Sequence, residues 1–241
     1  MNENETMTDI ERYERDLKAA RRYISVGLCG VFVCVFLIVT IIITAVARSL
    51  WVILPSVLFV CLVIGGIRME RTYKARQRQP AEYYTFHLSR VYDYGELLNT
   101  LSGESRAVCE CAEDAAVLMH RNGPSTRILL VGLPTYDKQM LKKKRDGANR
   151  RANQEWHTKQ WVSQFDAVKM LRINCVVCEE VNDALQKEMC RNAETLLRRV
   201  EVIVNMAVVG DRLLVPPLQG ARLDLPSLKR YEKAVSLMRS L

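Results

Sequence analysis

Two close cysteine pairs, Cys109-x-Cys111 and Cys175-x-x-Cys178, are the first residues whose types and spacing could do chemistry. Four thiolates so placed can hold a tetrahedral zinc ion, and a Cys-x-x-Cys pair can cycle between dithiol and disulfide. Zinc knuckles sit in turns, however, and both pairs fall in stretches that read as strands. On a strand, residues two apart share a face and residues three apart point to opposite faces. Cys175 and Cys178 should therefore diverge. All four read as small buried hydrophobes, with no metal and no cofactor expected. The chain has 8 cysteines without regular spacing, which argues for reduced thiols and against a disulfide framework.

The segment after Arg127–Leu133 raises phosphate binding. A phosphate cradle needs glycines that let backbone N–H groups approach, then a Lys and a Ser or Thr. Gly132 is present, but Pro134 removes a donor, no second glycine follows, and Lys138-Gln139 stands where Lys-Ser/Thr belongs. A strand-to-helix connection accounts for the segment better, with Pro134 before the helix start and Asp137 in its first turn. The three histidines, His87, His120 and His157, have no metal-binding or triad context. Glu110, Glu113, Asp114, Glu179 and Glu180 lie at predicted strand ends, where a metal-dependent nuclease places its acids. The Glu-x-Lys such a site needs is missing, and strand-end acids commonly cap the next helix. No residue is assigned a catalytic role.

Charge is concentrated in two places. The formal net charge is +8. Arg68, Arg71, Lys74, Arg76 and Arg78 crowd one window, and Lys142, Lys143, Lys144 and Arg145, with Arg150 and Arg151, crowd another. The rest of the chain is close to neutral, so a general affinity for nucleic acid does not follow. The second window lacks the interleaved aromatics that stack on bases.

What would position these residues is set by two uncharged runs, Ile24–Ala47 and Leu50–Ile67, separated only by Arg48 and Ser49. Roughly 20 apolar residues cross a hydrocarbon core as a helix. The runs predict a two-helix transmembrane hairpin (residues 23–68, spans 24–47 and 50–67). Basic residues precede the first run (Arg12, Arg15, Lys18, Arg21, Arg22) and follow the second, which puts both termini in the cytoplasm. The chain is thus expected to be an integral membrane protein of two spans. Residues 1–22 read as an amphipathic cytoplasmic helix opened by a Thr8–Glu11 capping box. Residues 69–81 form a basic linker whose Arg68, Arg71, Lys74, Arg76 and Arg78 contact anionic headgroups. Lys142, Lys143, Lys144 and Arg145 face either solvent, a lipid surface or an acidic partner.

Residues 82–241 then read as an α/β or α+β cytoplasmic domain. The apolar patterns predict strands at 83–88, 107–111, 127–133 and 172–178. Two more, at 200–209 and 212–216, would form a hairpin at Gly210-Asp211. Helices are expected at 94–101, 112–121, 136–168 with a break near Asp146-Gly147, 180–199, and from Pro226 onward. In the last, Leu228, Tyr231, Val235 and Met238 recur every three or four residues. Asn122-Gly123-Pro124 reads as a turn.

An ordered set of features runs through the chain: Arg21-Arg22-Tyr23-Ile24, the apolar hairpin, Glu70-Arg71 with Lys74, Asn122-Gly123, the strand Arg127–Leu133 leading to Asp137, and the strand around Cys175-Val176-Val177. In this order the chain resembles the two-pass transmembrane protein 268 family over residues 21–178. The resemblance implies a membrane-anchored cytoplasmic domain that acts through protein contacts. The functional expectation is a scaffold that presents its α/β domain to an unidentified protein partner or to a second copy of itself. The alternative is a tethered nuclease or nucleotide hydrolase. That enzyme would show clustered acids or histidines in a cleft at the strand ends, whereas a contact module would show an exposed apolar patch or sheet edge.

Overall fold

A computed structural model describes residues 8–47, 82–111, 114–120, 126–157, 170–190, 195–196, 201–218 and 225–241. The chain divides into two units, one of residues 1–14 with 81–241 and the other of residues 15–80. Helix α1 (Asp9–Ala47) starts at the expected capping box. The Thr8 N–H donates to Glu11 Oε2 (3.0 Å) and the Glu11 N–H to Thr8 Oγ1 (3.4 Å), so two otherwise orphaned amides are satisfied reciprocally.

The expected transmembrane hairpin is overturned. No helix among the described residues is long and apolar enough to cross a membrane. Residues 24–47 continue a helix whose first turns are charged and bonded to Tyr83 and Thr85. The second arm, 50–67, lies outside the described residues, as do Arg68, Arg71, Lys74, Arg76 and Arg78. The two-span, integral-membrane placement with cytoplasmic termini falls with the hairpin. On α1, Val35, Phe36, Ile38 and Val39 are exposed.

The larger unit is built on one mixed sheet. Its elements are β1 (Tyr84–Tyr92), α2 (Tyr94–Gly103), β2 (Ser105–Cys111), β3 (Ala115–His120), β4 (Thr126–Gly132), α3 (Lys138–His157), β5 (Met170–Cys178), α4 (Asp183–Met189), β6 (Thr195–Leu196), β7 (Glu201–Val215) and α5 (Leu225–Arg239). The strand order is β1-β7-β5-β4-β3-β2, with β6 paired to β7. β2, β3 and β4 form an antiparallel meander. β4, β5 and β7 are parallel, and β1 closes the far edge antiparallel to β7.

Parallel neighbours need crossovers, and α3 and α4 supply them. Ala148 and Ala152 of α3 and Leu185 and Met189 of α4 pack onto Val117, Leu129, Val131, Val176 and Ala207. Leu97 and Leu101 of α2, and Leu228, Tyr231, Val235 and Met238 of α5, are buried as well. Consecutive residues of β3 and β4, such as Ala116-Val117 and Ile128 to Val131, are all buried. Strands covered on both faces read as unbroken apolar runs and lose the period-2 signal.

That loss explains the largest departure from expectation. Residues 115–120 (AAVLMH) were expected inside a helix at 112–121 but form β3, because Ala, Leu and Met favour helix only where packing does not decide. The expected hairpin at Gly210-Asp211 is also absent. β7 runs through as one strand, and Gly210 takes a left-handed φ of 63°. Up to Val209 it pairs with β5; from Gly210 it pairs with β1. Helix α4 is shorter than expected, with β6 inside the predicted 180–199 helix. Helix α3 passes Asp146-Gly147 without the expected break.

Candidate functional site

The thiols can be placed first. Cys109, Cys175 and Cys178 are buried and free. Burial pushes the Cys109 and Cys175 thiols up to about 12 and the Cys178 thiol up to about 11. Thiols held protonated by burial are poor nucleophiles near neutral pH. Cys178 lies in the core under α3 and α4, and Cys175 is not part of that cluster, as strand alternation requires. Cys111 donates weakly to the Ala148 carbonyl at 3.7 Å. Among the described residues no group of His, Cys, Asp or Glu is arranged to hold a metal ion.

The segment after β4 is closed to phosphate by its own hydrogen bonds. The Gly132 N–H donates to the Asp114 carbonyl (2.8 Å) and the Leu133 N–H to the Val177 carbonyl (2.9 Å), and Pro134 has no N–H. Gly132 is needed for packing: a Cβ there would meet the Tyr94 ring and Asp114 Cβ at 3.0 Å. Asp137 precedes α3 rather than lying in its first turn. Its carboxylate accepts the Met140 N–H at 2.6 Å, in the manner of an N-cap.

Of the strand-end acids, Glu113 lies outside the described residues, and the others form no metal-holding group. Asp114 has a left-handed φ of 56°, which suits the last position of the short β2–β3 turn. Its carboxylate is 3.9 Å from Lys144 Nζ. Burial, and then the charges of Asp114 and Glu110, push the Tyr94 hydroxyl upward, so it stays protonated. Glu179 and Glu180 are exposed. His87 is exposed beside Asp211 (3.2 Å), and buried His120 is 3.5 Å from Glu104. A cavity of about 50 Å³ lies between α3, α4 and the sheet, lined in part by Asn174, Asn205, Arg145 and Glu188. Asn174 Nδ2 donates to Asn205 Oδ1 at 2.8 Å. The space suits a few water molecules and is far below the ~300 Å³ of small-molecule sites.

The basic cluster on α3 is split by the helix it stands on. With 3.6 residues per turn, Leu141, Lys144, Ala148 and Ala152 share the inner face. Lys144 Nζ donates to the Gly132 carbonyl at 3.1 Å, and Arg145 Nε donates to Asp146 at 3.3 Å. These two cations are occupied within the fold. Lys142, Lys143, Arg150 and Arg151 are exposed, and no ion pair engages them among the described residues. Exposed Met140 stands one turn from Lys143 on the same helix. The outer face of α3 is therefore a cationic strip with an apolar end.

A second constellation escaped the sequence reading, which treats residues 5–22 as a solvated helix. Tyr13 is buried and packs edge-on against Tyr84 (5.4 Å) and Phe86 (5.6 Å). Arg12 donates to the Tyr83 carbonyl (2.7 Å) and to Glu82 (2.8 Å), and its guanidinium lies over the Tyr84 ring. Asp9 accepts the Thr85 N–H at 2.9 Å. The available signal was a lone aromatic, Tyr13, amid charged neighbours. No family model, curated protein or solved structure matches the chain.

Proposed function

We propose that the domain acts by contact, not catalysis, and that the outer face of α3 engages an acidic surface on a partner protein. One observation carries this reading: Lys142, Lys143, Arg150 and Arg151 stand exposed without ion pairs among the described residues, while neighbouring Lys144 and Arg145 are engaged within the fold. Unpaired like charges on one helix repel one another and cost helix stability. An acidic surface relieves that repulsion and is steered in by the same field. Met140 adds an apolar contact, a residue type enriched at such interfaces. The enzyme alternative has no comparable support: the cavity beside Asn174 and Asn205 admits only water-sized occupants, and the wider cleft of about 410 Å³ lined by Asp9, His87 and Arg239 holds none of the strand-end acids.

Fluorescence anisotropy with a labelled poly-glutamate peptide tests the proposal. The chain should bind it, binding should weaken as salt rises, and the K142E/K143E/R150E/R151E variant should lose it. Equal binding by that variant excludes α3. Binding to phosphatidylserine vesicles but not to the peptide would assign the strip to lipid instead.

A further inference from the structure

The two ends of the sheet are treated differently, and the difference points to a second interaction surface. At one end, β1 has backbone groups covered by Asp9 and Arg12 of α1. At the other end, β2 pairs with β3 along its inner side, and no described strand pairs its outer side. An open strand edge offers unpaired N–H and C=O groups to another chain, and proteins usually blunt it with proline, charge, a bulge or a cover. β2 (SRAVCEC) contains no proline and no run of like charge, and its pairing to β3 is irregular only at its start, between Ser105 and Ala107, so that residues 107–111 run regular.

Its exposed side chains complement themselves. Arg106 and Glu110 are exposed, and Val108 between them is half-buried; Val108 and Glu110 share one face, and Arg106 stands at the irregular position before them. Neither Arg106 nor Glu110 has an ion pair among the described residues. On the opposite face Cys109 is buried against the core, so the strand cannot slip by one residue without exposing that face.

We propose that two copies of this chain associate through β2, antiparallel, about a two-fold axis through Val108. In that register Arg106 of each copy stands opposite Glu110 of the other, and Ala107 stands opposite Cys109. The two sheets become one continuous sheet, and each oppositely charged cross-strand pair occurs twice. A register shifted by two residues would bring Arg106 opposite Val108 and lose both charge pairs. This surface is separate from the outer face of α3, and the proposal does not depend on the acidic-partner reading.

Sedimentation velocity of the full-length chain over a micromolar concentration range tests it. The chain should show a reversible monomer–dimer equilibrium. R106E or E110R alone brings like charges face to face at two symmetric positions and should raise the dimer dissociation constant about tenfold or more. The double reversal R106E/E110R restores opposite charges and should bring it back to within about threefold of wild type. Val108→Cys should give a disulfide-linked dimer on mild oxidation, above the background set by the natural exposed Cys190. A chain that stays monomeric overturns the proposal, as does a dimer indifferent to the single reversals. A double variant that remains dissociated with an unchanged circular dichroism spectrum also overturns it. If a variant misfolds, Val108→Cys crosslinking in the otherwise natural chain decides.

Discussion

The β1 edge and the β2 edge of one sheet solve the same physical problem in opposite ways. β1 receives a cover: Asp9 takes the Thr85 N–H, Arg12 takes the Tyr83 carbonyl, and Tyr13 packs between Tyr84, Phe86 and Tyr231. β2 exposes Arg106 and Glu110 and half-buries Val108 between them. The lesson is that a strand edge is closed by whatever chain reaches it. Near β1 that is a helix of the same molecule, brought from some 70 residues away in sequence. At β2 no described strand does so, and a second copy is the proposed occupant. The covered edge should therefore matter for stability, and the bare edge for association.

The largest effect is expected at the cover. Tyr13→Ala removes a buried ring that touches three aromatic partners, and large-to-small changes of this kind cost about 3 kcal/mol or more. Denaturant unfolding should show that loss. The comparison breaks if Tyr13→Ala is as stable as wild type, because β1 would then need no cover. The strands between the edges offer a control. The Cys175 thiol is buried in β5 and pushed up to about 12, while an unfolded thiol titrates near 8.5. Its contribution is complete below the unfolded value and is lost as pH rises towards the folded one. Stability should therefore fall above about pH 9, by the order of 1–2 kcal/mol at pH 10 from this thiol. Cys175→Ala should shrink the difference in unfolding free energy between pH 8 and pH 10 by that amount, the remainder coming from Cys109 and Cys178, which burial raises likewise. Because that difference is taken within each protein, the cavity left by the substitution cancels.

The cover was hard to read in the sequence for the same reason that it works. Asp9, Arg12 and Tyr13 sit in a run of mixed charges at helical spacing, which satisfies every local rule for a solvated helix. Their partners, Tyr83 to Phe86, are far along the chain, and only the fold brings the two together. The Thr8–Glu11 capping box was legible because it is complete within four residues. So were β1, α2, β2, β4, β5 and α5, whose periodicity or apolar runs agree with their packing. β3 was not, since burial on both faces erased its alternation. Gly210-Asp211 carried a hairpin signal, but the φ of Gly210 is used to bend one long strand. The apolar run 24–47 predicted a membrane span; among the described residues it belongs to a helix that begins as a docked, charged segment. At the candidate site, the KKKR cluster was legible as charge. Its division into occupied Lys144 and Arg145 and open Lys142 and Lys143 needed the direction of each side chain from α3.

Smaller effects sharpen the contrast. Asp9→Ala strands the Thr85 N–H and removes a partner of Arg12, at a cost of about 1–2 kcal/mol. Hydrogen exchange at the Thr85 amide should accelerate, whereas amides of β2 that face β3 should not change. Gly210→Ala forces a Cβ into a left-handed conformation at the point where β7 passes from β5 to β1, which costs about 1 kcal/mol. Its effect should be concentrated in β1 exchange rates, since a Cβ there meets nothing within 4 Å.

The smallest effect on folding belongs to the bare edge. Arg106 and Glu110 are exposed and make no ion pair within the described residues, so R106E or E110R should change the unfolding free energy by less than about 0.5 kcal/mol when measured on dilute, monomeric protein. The same single change should weaken association about tenfold or more. Fold stability and dimer affinity thus respond oppositely at the two edges: Tyr13 is costly to lose for the fold, and Arg106 is costly to lose only for the contact. If R106E destabilised the monomer as much as Asp9→Ala does, the outer side of β2 would have a partner within its own chain, and its bareness would no longer argue for a second copy.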